Sequence, residues 1–358
     1  MYGLWPARSP SLDDPAIACG AAILRRGGLV AFPTETVYGL GANALDPKAV
    51  LSIFQAKGRP LSDPLIVHVA HRGALAGVAR GMPRAAERLA DAFWPGPLTL
   101  VLPRDPAIPP EVSAGLDTVA VRIPSHPVAR ALLRAAGVPV AAPSANRFSR
   151  PSPTTALHVA GDLGDHIDAL IDGGPTQVGI ESTIVRADEA GITLLRPGGI
   201  SREDLEAVVG PVRFLEGRAS AEGEAAPAPG SLLRHYAPTA DLYLVDGPRG
   251  EALPWIHAQS AAHRAAGRAV GILVSDDDAQ ALSAEGLTVF SLGSEGDAAA
   301  AAQRLYACLR QLDGAGVDVI LARMPPAVGL GLGLRDRLFR AAVGRVTRLQ
   351  SPVGSGMS

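Results

Sequence analysis

Two stretches in which short apolar runs alternate with helical patterns, separated by one aperiodic segment, set the limits on this fold. Runs at 29–32, 65–69, 98–102, 119–123, 139–142 and 169–171 have the length and flanks of buried strands. Patterns at 17–26, 84–93, 127–136 and 154–160 have helical spacing. Asp46-Pro47 adds a helix start, an N-cap acid before proline at the first helical position, and predicts a helix to about Ala56. From 216 to 229 the chain turns to Gly, Ala, Glu, Ser and Pro, the composition of a linker. Beyond it, strand-like runs at 242–245, 270–274, 288–291 and 317–321 alternate with helical stretches at 254–266 and 297–312, which predicts a second, smaller parallel sheet. The expected class is α/β in two domains, 10–212 and 240–350, joined by a linker at 213–239.

Composition narrows the function classes. A net charge of −2 gives no global pull toward nucleic acid or a membrane surface. Scarce aromatics argue against a base-stacking platform. Cys19 and Cys308 stand far apart without CxxC spacing or a histidine cluster, so two reduced thiols in a cytoplasmic protein is the economical reading. The first fifteen residues show no signal-peptide pattern, and no apolar run reaches membrane-spanning length. Residues 351–358 are small and polar and are expected to fray.

Lys57 is one of two lysines in a chain that otherwise uses arginine; the other, Lys48, falls on a polar helix face. Lys57-Gly58-Arg59-Pro60 puts a point charge and a planar fork on a stiff loop just past the predicted helix, a pairing suited to polyphosphate or to a solvated turn. Polar segments interrupt the first domain where strands should end: 33–40, Arg59 and His68 flanking the next strand, 141–146 leading to Ser149 and Ser152, and 179–183. Open α/β sheets bind ligands beyond strand ends, so these loops, with Lys57, Arg59, Arg122 and Arg196, predict a cationic, hydroxyl-rich pocket for nucleotide phosphates without a P-loop. Singly, each residue has a structural alternative. Arg122 suits a carboxylate or a strand-end surface, His68 suits a ligand or a core, and Asp63 suits Mg²⁺, a cap or a turn. Gly329-Leu-Gly-Leu-Gly-Leu334 is glycine-rich but lacks in sequence the strand–turn–helix setting of a dinucleotide fingerprint.

Taken together, Pro33-Thr-Glu-Thr-Val-Tyr-Gly-Leu40, Lys57-Gly-Arg-Pro60, Phe93-Trp-Pro-Gly-Pro-Leu-Thr99, Pro143-Ser-Ala-Asn146 and Glu181-Ser-Thr183 resemble the YrdC-type threonylcarbamoyl-AMP synthases, in the family's order, over about 12–209. Pro229-Gly230 followed by Arg234-His-Tyr-Ala-Pro238 is similar to the linker of the long form. The resemblance implies a YrdC-like twisted mixed-sheet α/β domain, then a linker or lid and a smaller Rossmann-like α/β domain. It implies that L-threonine, bicarbonate and ATP give threonylcarbamoyl-AMP and pyrophosphate, the first step toward N6-threonylcarbamoyladenosine in tRNA. Mg²⁺ would be held mainly through the ATP phosphates. A tRNA threonylcarbamoyl transferase complex would follow downstream, with at most weak tRNA contact by this chain and none with a membrane. Threonine contacts are implied at Thr36, His68, Arg122, the Ala142 backbone and Ser182, with Arg122 as a bidentate partner for the carboxylate. ATP contacts are implied at Lys57, Arg59, Asp63, Thr118, Ser144, Ser152, Arg196 and Tyr236, with Lys57 and Arg59 as the catalytic pair. The family commonly carries asparagine where this chain has Asp63. Two other readings compete with this one: a double-stranded RNA-binding module, disfavoured by the charge balance, and a carbamoyl transferase of the hydrogenase-maturation kind, which would add acylphosphatase and zinc-finger segments.

Overall fold

The computed structural model describes residues 3–6, 11–12, 14–188, 191–214, 226, 228–230, 232–282 and 287–349. Most of the predicted linker and the terminal segment 351–358 lie outside them. The chain divides into two units, Met1–Phe148 with Ser152–Leu233, and Ser149–Pro151 with Arg234–Ser358.

In the first unit the strands are β1 (Gly3–Pro6), β2 (Val30–Phe32), β3 (Gly39–Asn43), β4 (Ile66–His68), β5 (Leu98–Pro103), β6 (Thr118–Arg122), β7 (Val140–Ala141), β8 (Ala169–Asp172), β9 (Thr183–Asp188), β10 (Gly191–Arg196) and β11 (Val212–Phe214). They form one mixed sheet in the order β1-β8-β2-β3-β7-β4-β6-β5-β9-β10-β11. The helices are α1 (Pro15–Arg25), α2 (Pro47–Lys57), α3 (Arg84–Phe93), α4 (Pro127–Ala136), α5 (Ala156–Leu163) and α6 (Arg202–Val209). Helix α1 starts two residues before the sequence reading. Its Asp14 side chain accepts from Ala16 N at 2.9 Å ahead of Pro15, the same acid–proline start that places α2 behind Asp46. Helix α2 runs one residue past the expected end, so Lys57 is its last residue, and Gly58 closes it in the left-handed region at φ 65°. Helices α1 and α4 pack together on one side of the sheet, where Ile17, Leu24, Leu132 and Val140 share an apolar core.

Strand β3 was not expected from Gly39-Leu-Gly-Ala-Asn43, whose composition disfavours strands. Packing explains it: a Cβ on Gly41 would lie 2.8 Å from the Phe32 ring and 2.9 Å from Val140. The glycine is there for its lack of bulk.

Pairing places the polar residues. His68 on β4 is in register with Arg122 on β6, Arg122 with Thr99 on β5, and Thr99 with Ile184 on β9. Cross-strand partners share a face, so His68, Arg122 and Thr99 form one polar row. Two residues along, Ile66, Val101 and Ala120 form an apolar row on that same face. They cluster with Ile184 and with Ala228, which comes from the end of the predicted linker.

The second unit has β12 (Asp241–Asp246), β13 (Val270–Val274), β14 (Thr288–Ser291), β15 (Val319–Arg323) and β16 (Val346–Arg348), all parallel, in the order β14-β13-β15-β12-β16. Helices α7 (Arg249–Ala265), α8 (Asp276–Ala281), α9 (Ala298–Gly314) and α10 (Gly331–Ala341) alternate with them, the Rossmann-like layout expected. One expectation is corrected. The glycine run at 329–334 does have a strand before it and a helix after it, because Gly331 opens α10 eight residues past the end of β15.

Gly198 shows how tightly the first unit's loops close on the sheet. A Cβ there would lie 2.3 Å from Glu181 O and 2.5 Å from Ser182 C, both backbone atoms. Gly198→Ala is expected to cost about 1–3 kcal/mol, the range for overpacking, read as a lowered denaturation midpoint. An unchanged midpoint would show that this approach relaxes freely.

Candidate active site

Three of the four predicted polar segments are joined by backbone hydrogen bonds. Val178 N donates to Glu35 O at 2.7 Å and Gly179 N to Thr36 O at 3.1 Å. Leu40 N donates to Pro143 O at 2.8 Å, Ala145 N to Tyr38 O at 2.8 Å and Tyr38 N to Pro153 O at 2.9 Å. Segments 33–40, 143–146, 152–154 and 178–182 thus form one rim.

Arg122 stands at the outgoing end of β6, buried. Its Nη2 pairs with Glu35 Oε1 at 2.5 Å, Nη1 donates to Thr36 Oγ1 at 2.9 Å and Nε donates to Gly96 O at 3.2 Å. The surface alternative is excluded. The guanidinium is not an empty fork either, because it already carries a carboxylate. Burial pushes the Glu35 carboxyl up, but the Arg122 charge and hydrogen bonds outweigh it and hold the pKa below the usual glutamate value. Beside this pair, His68 is buried with Nδ1 3.3 Å from Ile66 O and its ring edge-on to Phe32. Burial and then the Arg122 charge lower its pKa to about 3, so the imidazole is neutral near pH 7. Ser182 Oγ and Thr99 Oγ1 are 2.7 Å apart, and Arg196 Nη2 donates to Ser182 O at 2.9 Å. Ala142 N donates to Ile66 O at 2.9 Å.

Lys57 is buried, and its Nζ donates to Ser144 O at 2.5 Å and also to Asn146 O. Burial, then the neighbouring Arg59 charge, drive its pKa well below the ordinary lysine value, with Asp162, Asp63 and Glu181 opposing. Arg59 is equally committed: Nε donates to Asp63 O at 3.0 Å, Nη2 donates to Pro64 O at 2.7 Å, and Nη2 pairs with Asp63 Oδ2 at 3.0 Å. The other Asp63 oxygen accepts Gly230 N at 3.2 Å. Asp63 is thereby the buried partner of Arg59. Burial raises its pKa against the Arg59 charge. Ser152 Oγ donates to Glu181 Oε1 at 2.5 Å.

The expected cationic pocket is therefore closer to charge balance. Glu35 and Glu181 were missing from the charge reading; Glu35 is buried against Arg122, Asp63 against Arg59 and Glu181 against Ser152. Glu35 and Glu181 stood inside the quoted motifs, and the available signal was a carboxylate flanked by hydroxyl residues in an otherwise apolar run. Thr118 lies at the incoming end of β6, four residues or about 13 Å from Arg122. Since β4 runs parallel to β6, the Asp63 side of β4 shares that end. Tyr236 belongs to the second unit. It is wholly buried at φ 61°, with the Arg337 guanidinium 5.1 Å and the Tyr306 ring 5.7 Å from its ring centroid.

The linker's described end lies on the first unit's sheet. Ala228 packs on the apolar row, Ala226 N donates to Ser62 O at 2.9 Å, and Pro229 O accepts from Arg196 Nη1 at 3.0 Å.

His68 provides a pH test. Its folded pKa lies below the ordinary histidine value of 6.5, so its contribution to stability is complete above pH 6.5 and is lost as pH falls toward 3. Unfolding free energy should fall by about 1.4 kcal/mol per pH unit in that window from this residue alone. His68→Asn should flatten the slope by that amount, and an identical slope in both proteins would contradict the assignment.

Two family models match the chain: Sua5_yciO_yrdC, described as telomere recombination, over residues 22–198, and the C-terminal domain of threonylcarbamoyl-AMP synthase over 200–343. The threonylcarbamoyl-AMP synthase of Bacillus subtilis is 46% identical over 94% of this chain and 96% of its own length. That of Pyrococcus abyssi is 44% identical over 94% and 97%. The crystal structure of P. abyssi Sua5 complexed with L-threonine superposes with a TM-score of 0.89 at 43% identity, covering 98% of this chain and 100% of that one.

Proposed function

The chain belongs to the threonylcarbamoyl-AMP synthase family, and on that premise we propose that it joins L-threonine, bicarbonate and ATP into threonylcarbamoyl-AMP and pyrophosphate. The observation that carries this reading is the row of His68, Arg122 and Thr99, closed by Thr36 and Ser182, beside the rim that holds Lys57. It combines a buried cation, a neutral imidazole and three hydroxyls, the set needed to hold a small hydroxy amino acid.

The reaction proceeds in two bond changes. The threonine amine and bicarbonate give a carbamate and water. A carbamate oxygen then attacks the α-phosphorus of ATP, and the bond to the pyrophosphate oxygen breaks. Neither change needs a covalent enzyme nucleophile; orientation and charge neutralisation suffice. Arg122 has five N–H donors, and Gly96, Thr36 and Glu35 take three of its nitrogen positions. The remaining donors hold the threonine carboxylate alongside Glu35, in place of the fully open bidentate fork expected from sequence. Thr36, His68, Ser182 and the Ala142 backbone complete the threonine end. Lys57, Arg59, Ser144, Ser152, Thr118 and Arg196 of the first unit are assigned to ATP, with Lys57 and Arg59 nearest the transferring phosphate. Asp63 serves that set by holding Arg59 in place. Mg²⁺ would be held mainly through the ATP phosphates, where it would help neutralise their charge.

The proposal extends to the wider setting. Domains 10–212 and 240–350 act as catalytic unit and regulator, and 213–239 acts as a lid. The product passes in the cytoplasm to a transferase complex that modifies tRNA. No helix among the described residues is long and apolar enough to cross a membrane.

The deciding assay is pyrophosphate release from ATP that requires both threonine and bicarbonate; release independent of either would refute the reaction. Specificity adds a finer test. Valine leaves the hydroxyl-binding groups unpaired and should react at least about 100-fold more slowly. Serine loses one methyl and should be disfavoured by roughly 1 kcal/mol, about five-fold. Equal turnover of threonine and valine would rule out the assigned amino-acid end.

The lid makes a separate claim. A mixed carbamic–phosphoric anhydride hydrolyses readily, so the cover must exclude water. Ala228→Glu places a charge on the apolar row of Ile66, Val101 and Ala120 and should lift the strap. The ratio of intact threonylcarbamoyl-AMP to pyrophosphate should fall several-fold. An unchanged ratio would separate the strap from product protection.

A further inference from the structure

The second unit holds a cavity of about 400 Å³ at the outgoing ends of β13 and β15. In the order β14-β13-β15-β12-β16, the chain leaves β13 toward β14 and leaves β15 toward β16. The connections therefore diverge between these two neighbours, which is the topological switch point where open α/β sheets take ligands.

The floor is a buried charge cluster. Asp278 is wholly buried; its Oδ1 accepts from Arg249 Nε at 2.7 Å and its Oδ2 from Arg323 Nε at 2.6 Å. Arg323 Nη2 pairs with Glu295 at 2.7 Å. Two cations and two anions balance, at a desolvation cost that an apolar floor would avoid. The Arg323 side chain is 10% exposed and lines the cavity, and its Nη1 donates to no described residue. Asp278 is engaged by two arginines, and Glu295, also in the lining, holds Arg323 through one oxygen, so a guanidinium edge and a carboxylate edge face the space side by side.

A second positive element faces it. Helix α10 begins at Gly331 with no side-chain cap on Leu330, leaving its N-terminal dipole uncompensated by a side chain. The approach is glycine-dependent: Gly329 has φ +57°, and a Cβ on Gly331 would lie 2.0 Å from Pro326 O. The glycine run set aside in the sequence thus folds as a tight strand-to-helix loop on the cavity wall. Val274, Leu292, Met324 and Leu334 supply an apolar side.

We infer that this cavity binds a nucleoside monophosphate, its phosphate against Arg323 Nη1 and the start of α10, its sugar and base along the apolar side. The volume lies near the lower end of the roughly 300–1,000 Å³ range of small-molecule pockets, which suits one nucleotide better than a dinucleotide. The site is separate from the residues assigned to the reaction, and its existence does not depend on that assignment.

Hydrogen exchange on the full chain tests it, with AMP, adenosine and inorganic phosphate at millimolar concentration in separate arms. AMP should slow exchange several-fold in 323–334 and 292–298, without threonine or bicarbonate, and each fragment alone should do so less. Exchange at 57–63 and 142–146 reads the first unit separately, so a failure there is distinguishable from a failure here. Arg323→Ala should abolish the protection. Because that variant leaves Asp278 with one fewer partner, Val328→Trp provides a second: Val328 is 68% exposed on the cavity's rim, so the ring can occupy the space without disturbing the core. Loss of protection in Val328→Trp, with unchanged thermal stability, supports the site. Absence of AMP protection at 323–334, protection that survives in both variants, or equal protection by phosphate alone would overturn it.

Discussion

The ion pair between Arg122 and Glu35 is the contact on which the first unit's site depends. It ties a central strand to the loop after β2, and both partners are almost fully buried. Removing one partner of such a pair costs about 3–5 kcal/mol, because the other charge is stranded in a poorly solvating interior. The pair therefore fixes more than its own geometry. Thr36 is held through Arg122 Nη1, the backbone of Glu35 and Thr36 anchors 178–179, and Ser182 follows three residues later. A sheet row, a loop and a second loop are kept in one arrangement by a charge that cannot be released cheaply.

A pocket whose cations are already paired with acids or carbonyls treats its substrate differently from a pocket of free cations. Lys57, Arg59 and Arg122 each enter with partners already in place. On the proposed assignment, an incoming phosphate or carboxylate would share donors instead of filling vacancies, so the gain on binding would be smaller than the count of positive residues suggests. What the arrangement supplies is preorganisation, since the donors do not have to move when charge develops. Asp63 fits the same logic. An acid near phosphate is unfavourable in isolation, but paired with Arg59 and Gly230 it fixes the orientation of a guanidinium.

Much of this was legible in the sequence where local rules decide. The acid–proline start at 46–47, the helices 84–93 and 127–136, and the strands 270–274 and 288–291 follow from capping and periodicity. Strand β3 was hidden because its glycines answer to Phe32 and Val140, which are near only after folding. Helix α10 was hidden because alternating glycine and leucine carries no amphipathic signal. At the site, motif resemblance located the loops, but the charge state of the pocket depended on which acid met which base. Those meetings, Glu35 with Arg122 and Asp63 with Arg59, are respectively tertiary and a single helical-turn spacing across a proline. Neither is visible as a pattern along the chain.

Among the described residues, the strap lies on the sheet through the Ala228 side chain on the apolar row and hydrogen bonds from Ala226 N, to Pro229 O and from Gly230 N, with Ala226 and Ala228 both buried. A methyl contact is worth about 0.8 kcal/mol and each such bond about 0.5–1.5 kcal/mol net. Their sum is only a few kcal/mol, below the roughly 5–15 kcal/mol that holds a whole domain together. An opening confined to these contacts would belong to the class of local openings that occur many times for every global unfolding event. On the proposed lid assignment, such a cover would set its own residence time, and the traffic of nucleotide in and adenylate out would be decoupled from the durability of the fold beneath it.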